Sequence, residues 1–323
     1  MEYRNIKGLE LPVSRLIFGT ASDPMLAGEN VNTLLDAVVN MGITSFDTAR
    51  EYGESEKSLG NWIRERNNRN QITVITKCCH PMPDGTKRVN RQGILEDVER
   101  SLAKLQTDYI DLYLFHRDDP EMDVEELVET MNELVKKGKI RAYGGSNWEV
   151  DRIKEADIYA KSHAFIPFAA SSPNFGLAEQ ITDMWGGGGV SISGKDRAGD
   201  RVWYEESQMP VLSYSSLGRG FFSGKLQSGD IHRAEQILDS FAMKGYVCER
   251  NFERLKRAEL LAGIKGCTVA QLSLAWVLHQ KMNTFAIVSS TNPDRMRSNL
   301  TALRIEINEK ESQWLDLQRD EFV

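Results

Sequence analysis

Three short apolar segments of the sequence end in an ionisable residue, and a tyrosine follows the first of them. Asp47, Lys77 and His116 are the residues at these ends, and Tyr52 lies five residues after Asp47. A phenol, with a reference pKa of about 10, is a poor acid near neutral pH, but a neighbouring ammonium group such as Lys77 lowers that pKa. Asp47 can pair with Lys77, and His116 can orient a carbonyl oxygen through a hydrogen bond. These residue types predict a general acid for an oxygen that receives negative charge.

This chemistry requires a fold that brings the four side chains together, because a single strand-end Asp, Lys or His usually caps a helix or faces solvent. Short β-branched or aromatic runs alternate with segments of helical periodicity. The runs cover residues 16–18, 44–46, 74–76, 110–115, 142–143, 168–170, 211–214 and 285–288. Among the first six, the spacing is roughly 30 residues, the length of one strand-helix unit. Such alternation indicates a parallel sheet, and eight units predict a (β/α)8 TIM barrel, in which the carboxyl ends of all strands share one rim.

The rest of the chain fits the same architecture. Residues 3–7 and 9–13, on either side of Gly8, predict an N-terminal β-hairpin ahead of the first barrel strand. We therefore expect residues 1–323 to form a single barrel domain, with long loops at about 173–209 and 215–250 whose length is typical of functional loops. Helix start signals occur at Asp123 with Glu126, Thr268 with Gln271, Asn292 before Pro293, and Asn308 with Glu311.

An open doubly wound sheet is the rival architecture, and the glycine pattern argues against it. In the stretch that begins Gly218-Arg219-Gly220, Ser223 occupies the position of the third glycine of a dinucleotide fingerprint. Gly224-Lys225 is not a phosphate-binding P-loop either, because Arg219 replaces its first glycine and Leu226 follows the lysine.

Composition excludes several classes of function. The net charge of −7 is spread along the chain, so no basic stripe predicts a nucleic-acid partner. No apolar run approaches the length of a membrane span, and the N-terminus lacks a signal-like pattern, so we expect a cytoplasmic protein without a membrane partner. The four cysteines have no zinc spacing, and His163, His232 and His279 lack partner ligands, so we assign no metal.

Several motifs together resemble the aldo-keto reductase family. They occur in the family's order from the first strands to the last helix, and they cover nearly the whole chain. The motifs are Phe46-Asp47-Thr48-Ala49 with Tyr52-Gly53, Thr76-Lys77, Leu114-Phe115-His116, Gly145-Ser146-Asn147-Trp148, Tyr214-Ser215-Ser216-Leu217-Gly218-Arg219-Gly220, and the stretch 293–300. The resemblance implies a (β/α)8 barrel with an N-terminal hairpin and the transfer of a hydride from NADPH, or less often NADH, to an aldehyde or ketone.

The resemblance also implies roles for individual residues. Tyr52 would be the proton donor, Asp47 and Lys77 would tune it, and His116 would orient the carbonyl. The implied cofactor contacts are Ser146 and Asn147 with the carboxamide, Tyr214 with the nicotinamide ring, Ser215 and Leu217 in the same motif, and Ser290, Arg295 and Asn299 with the adenosine phosphate and adenine.

Two departures from the family pattern concern the cofactor. Ser172 stands where many members have a Gln that completes the carboxamide site, and Ser289 stands where a subset has a phosphate-binding Lys. Arg295 offers a bidentate partner for a 2′-phosphate, which favours NADPH. The missing lysine weakens that preference, so use of NADH stays open.

The sequence says least about the substrate. Trp148, His80 and Trp185 are candidate contacts, and surface placement is an equal alternative for His80. Aromatic and polar residues near the expected rim suggest a polar carbonyl compound, such as a sugar-derived aldehyde or ketone. Two other functions stay open: a cofactor-binding, redox-sensing regulatory subunit, and a metal-dependent hydrolase that uses Asp47 and His116 as ligands. The oligomeric state is not indicated.

Overall fold

Eight parallel strands form a closed barrel, and a two-stranded antiparallel hairpin precedes them, in a computed structural model that describes residues 1–322. The predicted (β/α)8 TIM barrel with an N-terminal β-hairpin is therefore confirmed. Around the barrel the strands follow the order β10-β3-β4-β5-β6-β7-β8-β9. The strands are β1 (Tyr3–Arg4), β2 (Val13–Ser14), β3 (Leu16–Gly19), β4 (Ser45–Asp47), β5 (Thr73–Cys78), β6 (Ile110–Phe115), β7 (Ile140–Ser146), β8 (Ser171–Ser172), β9 (Val211–Ser213) and β10 (Thr284–Val288).

The helices begin close to the predicted start signals. Thr268 with Gln271 and Asn308 with Glu311 both form complete capping boxes, in which side chains and backbone N–H groups are satisfied reciprocally. The helices are α1 (Asp23–Leu26), α2 (Asn32–Asn40), α3 (Ser55–Arg66), α4 (Arg91–Leu105), α5 (Val124–Lys136), α6 (Val150–Ser162), α7 (Ala198–Ser207), α8 (Ala234–Ile237), α9 (Ser240–Tyr246), α10 (Glu249–Lys265), α11 (Val269–Leu278), α12 (Pro293–Asn299) and α13 (Glu309–Leu315).

The chain divides into two compact units. The first comprises Met1–Ser172 with Ser289–Pro293, and the second comprises Pro173–Val288 with the remaining described residues. In the first unit, α3 and α4 pack closely because Gly60 has no side chain. A Cβ atom at that position would lie 2.4 Å from the carbonyl oxygen of Lys104 on α4.

One strand differs from its predicted position. The apolar run 168–170 predicted the sixth barrel strand, whereas β8 consists of the two buried serines that follow it. Phe168 instead packs its ring 5.0 Å from that of Trp148 and 5.4 Å from that of Tyr143. Hydroxyl side chains at the end of a strand break the apolar pattern by which a buried strand is recognised.

The two long loops contain short helices. Helix α7 lies within residues 173–209, and α8 and α9 lie within residues 215–250. In the described part of the chain, no single helix is long and apolar enough to cross a membrane. Helices α10 and α11, bent by 97° at a break, pass that test of length and composition only as a pair.

Candidate active site

A buried ion pair joins the ends of two neighbouring strands. Asp47 ends β4, Lys77 lies near the end of β5, and each residue is 3% exposed. The Lys77 Nζ atom donates to Asp47 Oδ2 at 2.6 Å and to the Thr48 carbonyl oxygen at 2.9 Å. Burial lowers the pKa of Lys77, but the Asp47 carboxylate and Tyr52 outweigh burial, so its net pKa is raised. Burial raises the pKa of Asp47 against the attraction of Lys77. The short contact favours the charged form of both groups.

Tyr52 lies beside this pair in the loop that follows β4. Its backbone N–H donates to the Ala49 carbonyl oxygen at 3.0 Å, which closes a turn after the strand. Its half-buried ring lies with its centroid 5.1 Å from the Lys77 Nζ atom. The same ring meets that of His116 edge to face, with 5.6 Å between ring centroids and 82° between ring planes. The structure thus brings together Asp47, Lys77 and His116, which the sequence placed at three separate strand ends, and Tyr52 from the loop after the first.

The net pKa of Tyr52 corrects one expectation. The sequence predicted that Lys77 would lower this pKa, and Lys77 does act in that direction. Burial has the larger effect, however, and the nearby Asp47 carboxylate adds to it, so the pKa of Tyr52 is raised above 10. The phenol therefore keeps its proton at neutral pH until an acceptor with developing negative charge is present.

His116 directly follows β6, and its backbone N–H donates to the Cys78 carbonyl oxygen at 2.8 Å. Its pKa lies well below 6.5 because burial disfavours the imidazolium, and the positive charges of Lys77 and Arg117 act in the same direction. The ring is therefore neutral at physiological pH and carries one N–H donor. Its Nδ1 atom is buried and has no hydrogen-bond partner among residues 1–322.

The depressed pKa of His116 predicts a specific dependence of stability on pH. Below the ordinary pKa of about 6.5, His116 binds a proton in the unfolded state but not in the folded state. The contribution of His116 to the free energy of unfolding is therefore fully present above that pH and is lost as the pH falls. The loss has a limiting slope of about 1.4 kcal/mol per pH unit. Urea titrations from pH 7.5 to 5 should show this term in the wild type and not in His116→Gln. Parallel curves for the two proteins would contradict a depressed pKa.

The end of β7 presents polar groups that are already fixed in place. Ser146 Oγ donates to the Ser172 carbonyl oxygen at 2.9 Å, and the Asn147 backbone N–H donates to the same oxygen at 3.2 Å. Asn147 Nδ2 donates to the His116 carbonyl oxygen at 3.0 Å and to Ser146 Oγ at 3.1 Å. Asn147 has a left-handed backbone with φ of 60°, which asparagine tolerates better than most residues. These three residues and His116 form one connected group in the first unit.

The structure corrects the expectation for Trp148. Its indole is only 1% exposed and packs against Phe115 at 5.2 Å and Phe168 at 5.0 Å between ring centroids. Its Nε1 donates to the Arg117 carbonyl oxygen at 3.3 Å. Trp148 therefore packs in the core and holds the segment after β6 through Arg117, and almost none of its surface is open to a substrate.

His80 lies against the ring of His116. Its ring centroid is 4.7 Å from that of His116, and its Nδ1 lies 3.0 Å from the Pro81 carbonyl oxygen. A carbonyl can only accept, so Nδ1 carries the proton and Nε2 is left as an acceptor. Burial lowers the pKa of His80. His80 is thus half-buried beside His116, and its contact with a substrate stays a prediction.

The second unit carries other predicted residues. Tyr214 follows β9 and forms an isolated bridge with Asn174, and Ser215 after it has a left-handed backbone with φ of 53°. Ser215 and Leu217 are both half-buried. Trp185 stacks on Phe241 at 5.1 Å, with the Arg219 guanidinium 5.0 Å from its ring.

The predicted residues near β10 occur in both units. In the first, Ser290 Oγ accepts the Asn292 backbone N–H at 3.1 Å. In the second, Asn299 is 9% exposed at the end of α12, whereas Arg295 on the same helix is exposed.

Sequence reasoning missed a buried carboxylate, Asp97, which contacts the segments on either side of the ion pair. A signal for it was present, because Asp97 interrupts the apolar stripe of α4 that Ile94, Val98 and Leu105 define. Among residues 1–322, no group of three or more His, Cys, Asp or Glu side chains is arranged to hold a metal ion.

Comparison with known proteins gives concordant findings. The model of the Aldo/keto reductase family matches residues 15–317 of this chain. The chain is also similar to the aldo-keto reductase YhdN of Bacillus subtilis (strain 168), with 30% identity over 314 residues. That alignment covers 92% of this chain and 87% of the relative.

Proposed function

This chain belongs to the aldo/keto reductase family, and from that membership we propose that it reduces an aldehyde or ketone to an alcohol, with Tyr52 as the general acid. Membership itself implies an oxidoreductase that uses a nicotinamide cofactor. The observation that carries the proposal is the buried Asp47–Lys77 ion pair at 2.6 Å, with the rings of Tyr52 and His116 beside it.

Each of the four side chains has a distinct part in the proposed reaction. A bound nicotinamide dinucleotide supplies the hydride. The neutral His116 ring donates its N–H to the carbonyl oxygen and holds it near Tyr52. As negative charge develops on that oxygen, Tyr52 transfers its phenolic proton to it. Lys77 then stabilises the phenolate, and Asp47 keeps the ammonium in place and charged.

The chemistry of the residues in the first unit fits such a cofactor. We propose that Ser146, Asn147 and Ser172 bind the carboxamide, because hydroxyl and amide groups at the end of β7 are already ordered by hydrogen bonds. A buried nitrogen without a partner, His116 Nδ1, also leaves a place for a polar group of a ligand. In the second unit we propose Tyr214, Ser215 and Leu217 as further contacts.

We propose NADPH as the preferred cofactor, with Arg295 as the residue that distinguishes it from NADH. Arg295 is exposed and forms no ion pair with the residues that the structure describes, so its guanidinium is available for a 2′-phosphate. Ser290 and Asn299 are proposed as contacts of the adenosine part.

This preference predicts the effect of one substitution. Arg295→Ala should raise the Kd for NADPH by about tenfold or more, because a charged hydrogen bond contributes about 1.5 kcal/mol or more. The Kd for NADH, which lacks the 2′-phosphate, should not change. Quenching of tryptophan fluorescence measures both constants. Arg297→Ala, an equally exposed arginine on the same helix, is the matched control. An equal loss with both variants, or no loss with either, would contradict the assignment.

For the substrate we propose a polar carbonyl compound, and the position of His80 supports this choice. A neutral imidazole that lies 4.7 Å from the His116 ring offers its Nε2 as an acceptor to a hydroxyl group near the reacting carbonyl. A sugar-derived aldehyde or ketone would supply such a hydroxyl. Trp185 stays a candidate contact from the second unit.

A panel of carbonyl compounds tests the proposed activity directly. Loss of NADPH absorbance should be faster with hydroxylated aldehydes and ketones than with simple aromatic ones, and a preference for the aromatic set would contradict the choice of substrate. Tight NADPH binding without turnover of any compound would instead favour a redox-sensing regulatory subunit.

A further inference from the structure

Asp97 is a fully buried carboxylate that is not one of the four proposed catalytic residues, Asp47, Tyr52, Lys77 and His116. It projects from α4, is 0% exposed, and its two oxygens contact three separate segments of the first unit. A buried carboxylate requires compensation, because its ionised form is costly in the protein interior unless it is paired. The identity of its partners therefore indicates what this charge is used for.

The first partner lies in the segment that carries Tyr52. The Arg50 Nε atom forms an ion pair with Asp97 Oδ1 at 3.2 Å, and the Arg50 side chain is only 9% exposed. Arg50 is two residues from Tyr52 and three from Asp47. Its backbone N–H donates to the Lys77 carbonyl oxygen at 3.2 Å. Fixing Arg50 therefore fixes the turn between two of the proposed catalytic residues.

The second partner lies just past Lys77. The backbone N–H of Cys79 donates to Asp97 Oδ2 at 2.8 Å. Cys79 has a left-handed backbone with φ of 61°, a conformation that costs a non-glycine residue about 1 kcal/mol or more. The Asp97 hydrogen bond offsets that cost and holds the chain where it leaves β5, between Lys77 and His80.

The third partner is a second guanidinium group, that of Arg88, which comes from the loop after His80. Arg88 Nη2 donates to Asp97 Oδ1 at 2.7 Å and to Glu96 Oε2 at 3.3 Å. The single carboxylate thus faces two guanidinium groups, which also pair with Glu51 and Glu96.

We propose that Asp97 is a positioning residue for the proposed reduction: one carboxylate sets the Tyr52 segment and the end of the Lys77 strand at a fixed separation. This inference rests on the proposed function, since it assigns to Asp97 the relative placement of the phenol and the ammonium. Proton transfer depends steeply on such placement, because an error of about 1 Å can cost about 100-fold in rate.

Asp97→Asn tests this role, because asparagine keeps an acceptor for the Cys79 N–H and removes the charge that holds Arg50. The expected result is a fall in kcat of about tenfold or more, with the KM for NADPH and for the carbonyl substrate unchanged within about twofold.

Asp111→Asn is the matched control. Asp111 is also buried, pairs with Arg69 at 2.7 Å, and accepts a backbone N–H, that of Val74 in β5, at 2.8 Å. It acts at the start of β5 rather than at its end, so its loss should lower stability without lowering kcat. Equal falls in kcat for the two variants, or no fall with Asp97→Asn, would overturn the proposal.

Amide hydrogen exchange supplies a readout that does not require turnover. In Asp97→Asn, exchange should become faster in residues 47–53, because Arg50 is released while the Cys79 N–H keeps its acceptor. In Asp111→Asn the increase should be confined to the start of β5. If Asp97→Asn does not fold, Arg50→Gln breaks the Tyr52 side alone and should give the same loss of kcat and faster exchange in 47–53. Unchanged exchange in residues 47–53 of a folded variant would overturn the role of Asp97. If instead the wild type reduced no carbonyl compound, that result would contradict only the proposed function, and the exchange experiment would still test the role of Asp97.

Discussion

Replacing Tyr52 by Phe is expected to lower kcat for carbonyl reduction by roughly 10²–10⁴-fold, the usual contribution of a general acid. The variant retains the ring that packs edge to face on His116 and lies near the Lys77 ammonium, so the fold and the surrounding side chains should be preserved. The Kd for NADPH should therefore change little. Steady-state loss of NADPH absorbance measures the first quantity, and fluorescence quenching measures the second.

Tyr159→Phe is a suitable control for this experiment. Tyr159 lies on α6, and its hydroxyl group donates to Glu129 at 2.7 Å on the surface of the protein, so removing that group should leave kcat unchanged. Wild-type activity in Tyr52→Phe would show that another group supplies the proton. A large increase in the Kd for NADPH in Tyr52→Phe would show that the substitution disturbs the cofactor site as well as removing the phenolic hydroxyl group.

The second large effect is expected for Lys77→Met, which removes the ammonium and keeps a side chain of similar length. Turnover should be lost because neither the Tyr52 phenolate nor the developing charge on the substrate is stabilised. Stability should also fall, by about 3–5 kcal/mol, because Asp47 becomes an unpaired buried carboxylate. Urea-induced unfolding at pH 7 gives the free energy change.

A double variant separates the two consequences. Asp47→Asn combined with Lys77→Met replaces a charged pair by neutral groups, so most of the lost stability should return. Turnover should not return, since the double variant still lacks the ammonium. Recovery of activity in the double variant, or a Lys77→Met protein as stable as the wild type, would refute the account of this ion pair.

The convergence of Asp47, Lys77 and His116 could be predicted from the sequence because it depends on topology alone. Once the strands alternate with helices and close into a barrel, their carboxyl ends lie at one rim regardless of packing details. Tyr52 could be included because it lies within a short loop of Asp47. The capping boxes were predictable for a similar reason, since they depend only on residues three apart.

Other features could not be predicted because they depend on three-dimensional packing. Burial raises the pKa of Tyr52 and the charge of Lys77 lowers it. The net direction depends on how deeply the phenol is buried, which the residue types alone do not show. Trp148 follows directly after polar residues of the β7 end, yet its side chain turns into the core. Asp97 lies on a helix far along the chain from Arg50, and a contact between them requires the folded arrangement.

The contact between α3 and α4 at Gly60 limits how this enzyme can be engineered. Helix α3 begins three residues after Tyr52, and its closest approach to α4 depends on the absence of a side chain at Gly60. Even alanine there is expected to push the helices apart and to shift the start of α3, three residues from Tyr52, the proposed proton donor. Libraries intended to change substrate range should therefore leave this helix pair untouched and vary the surface loops instead.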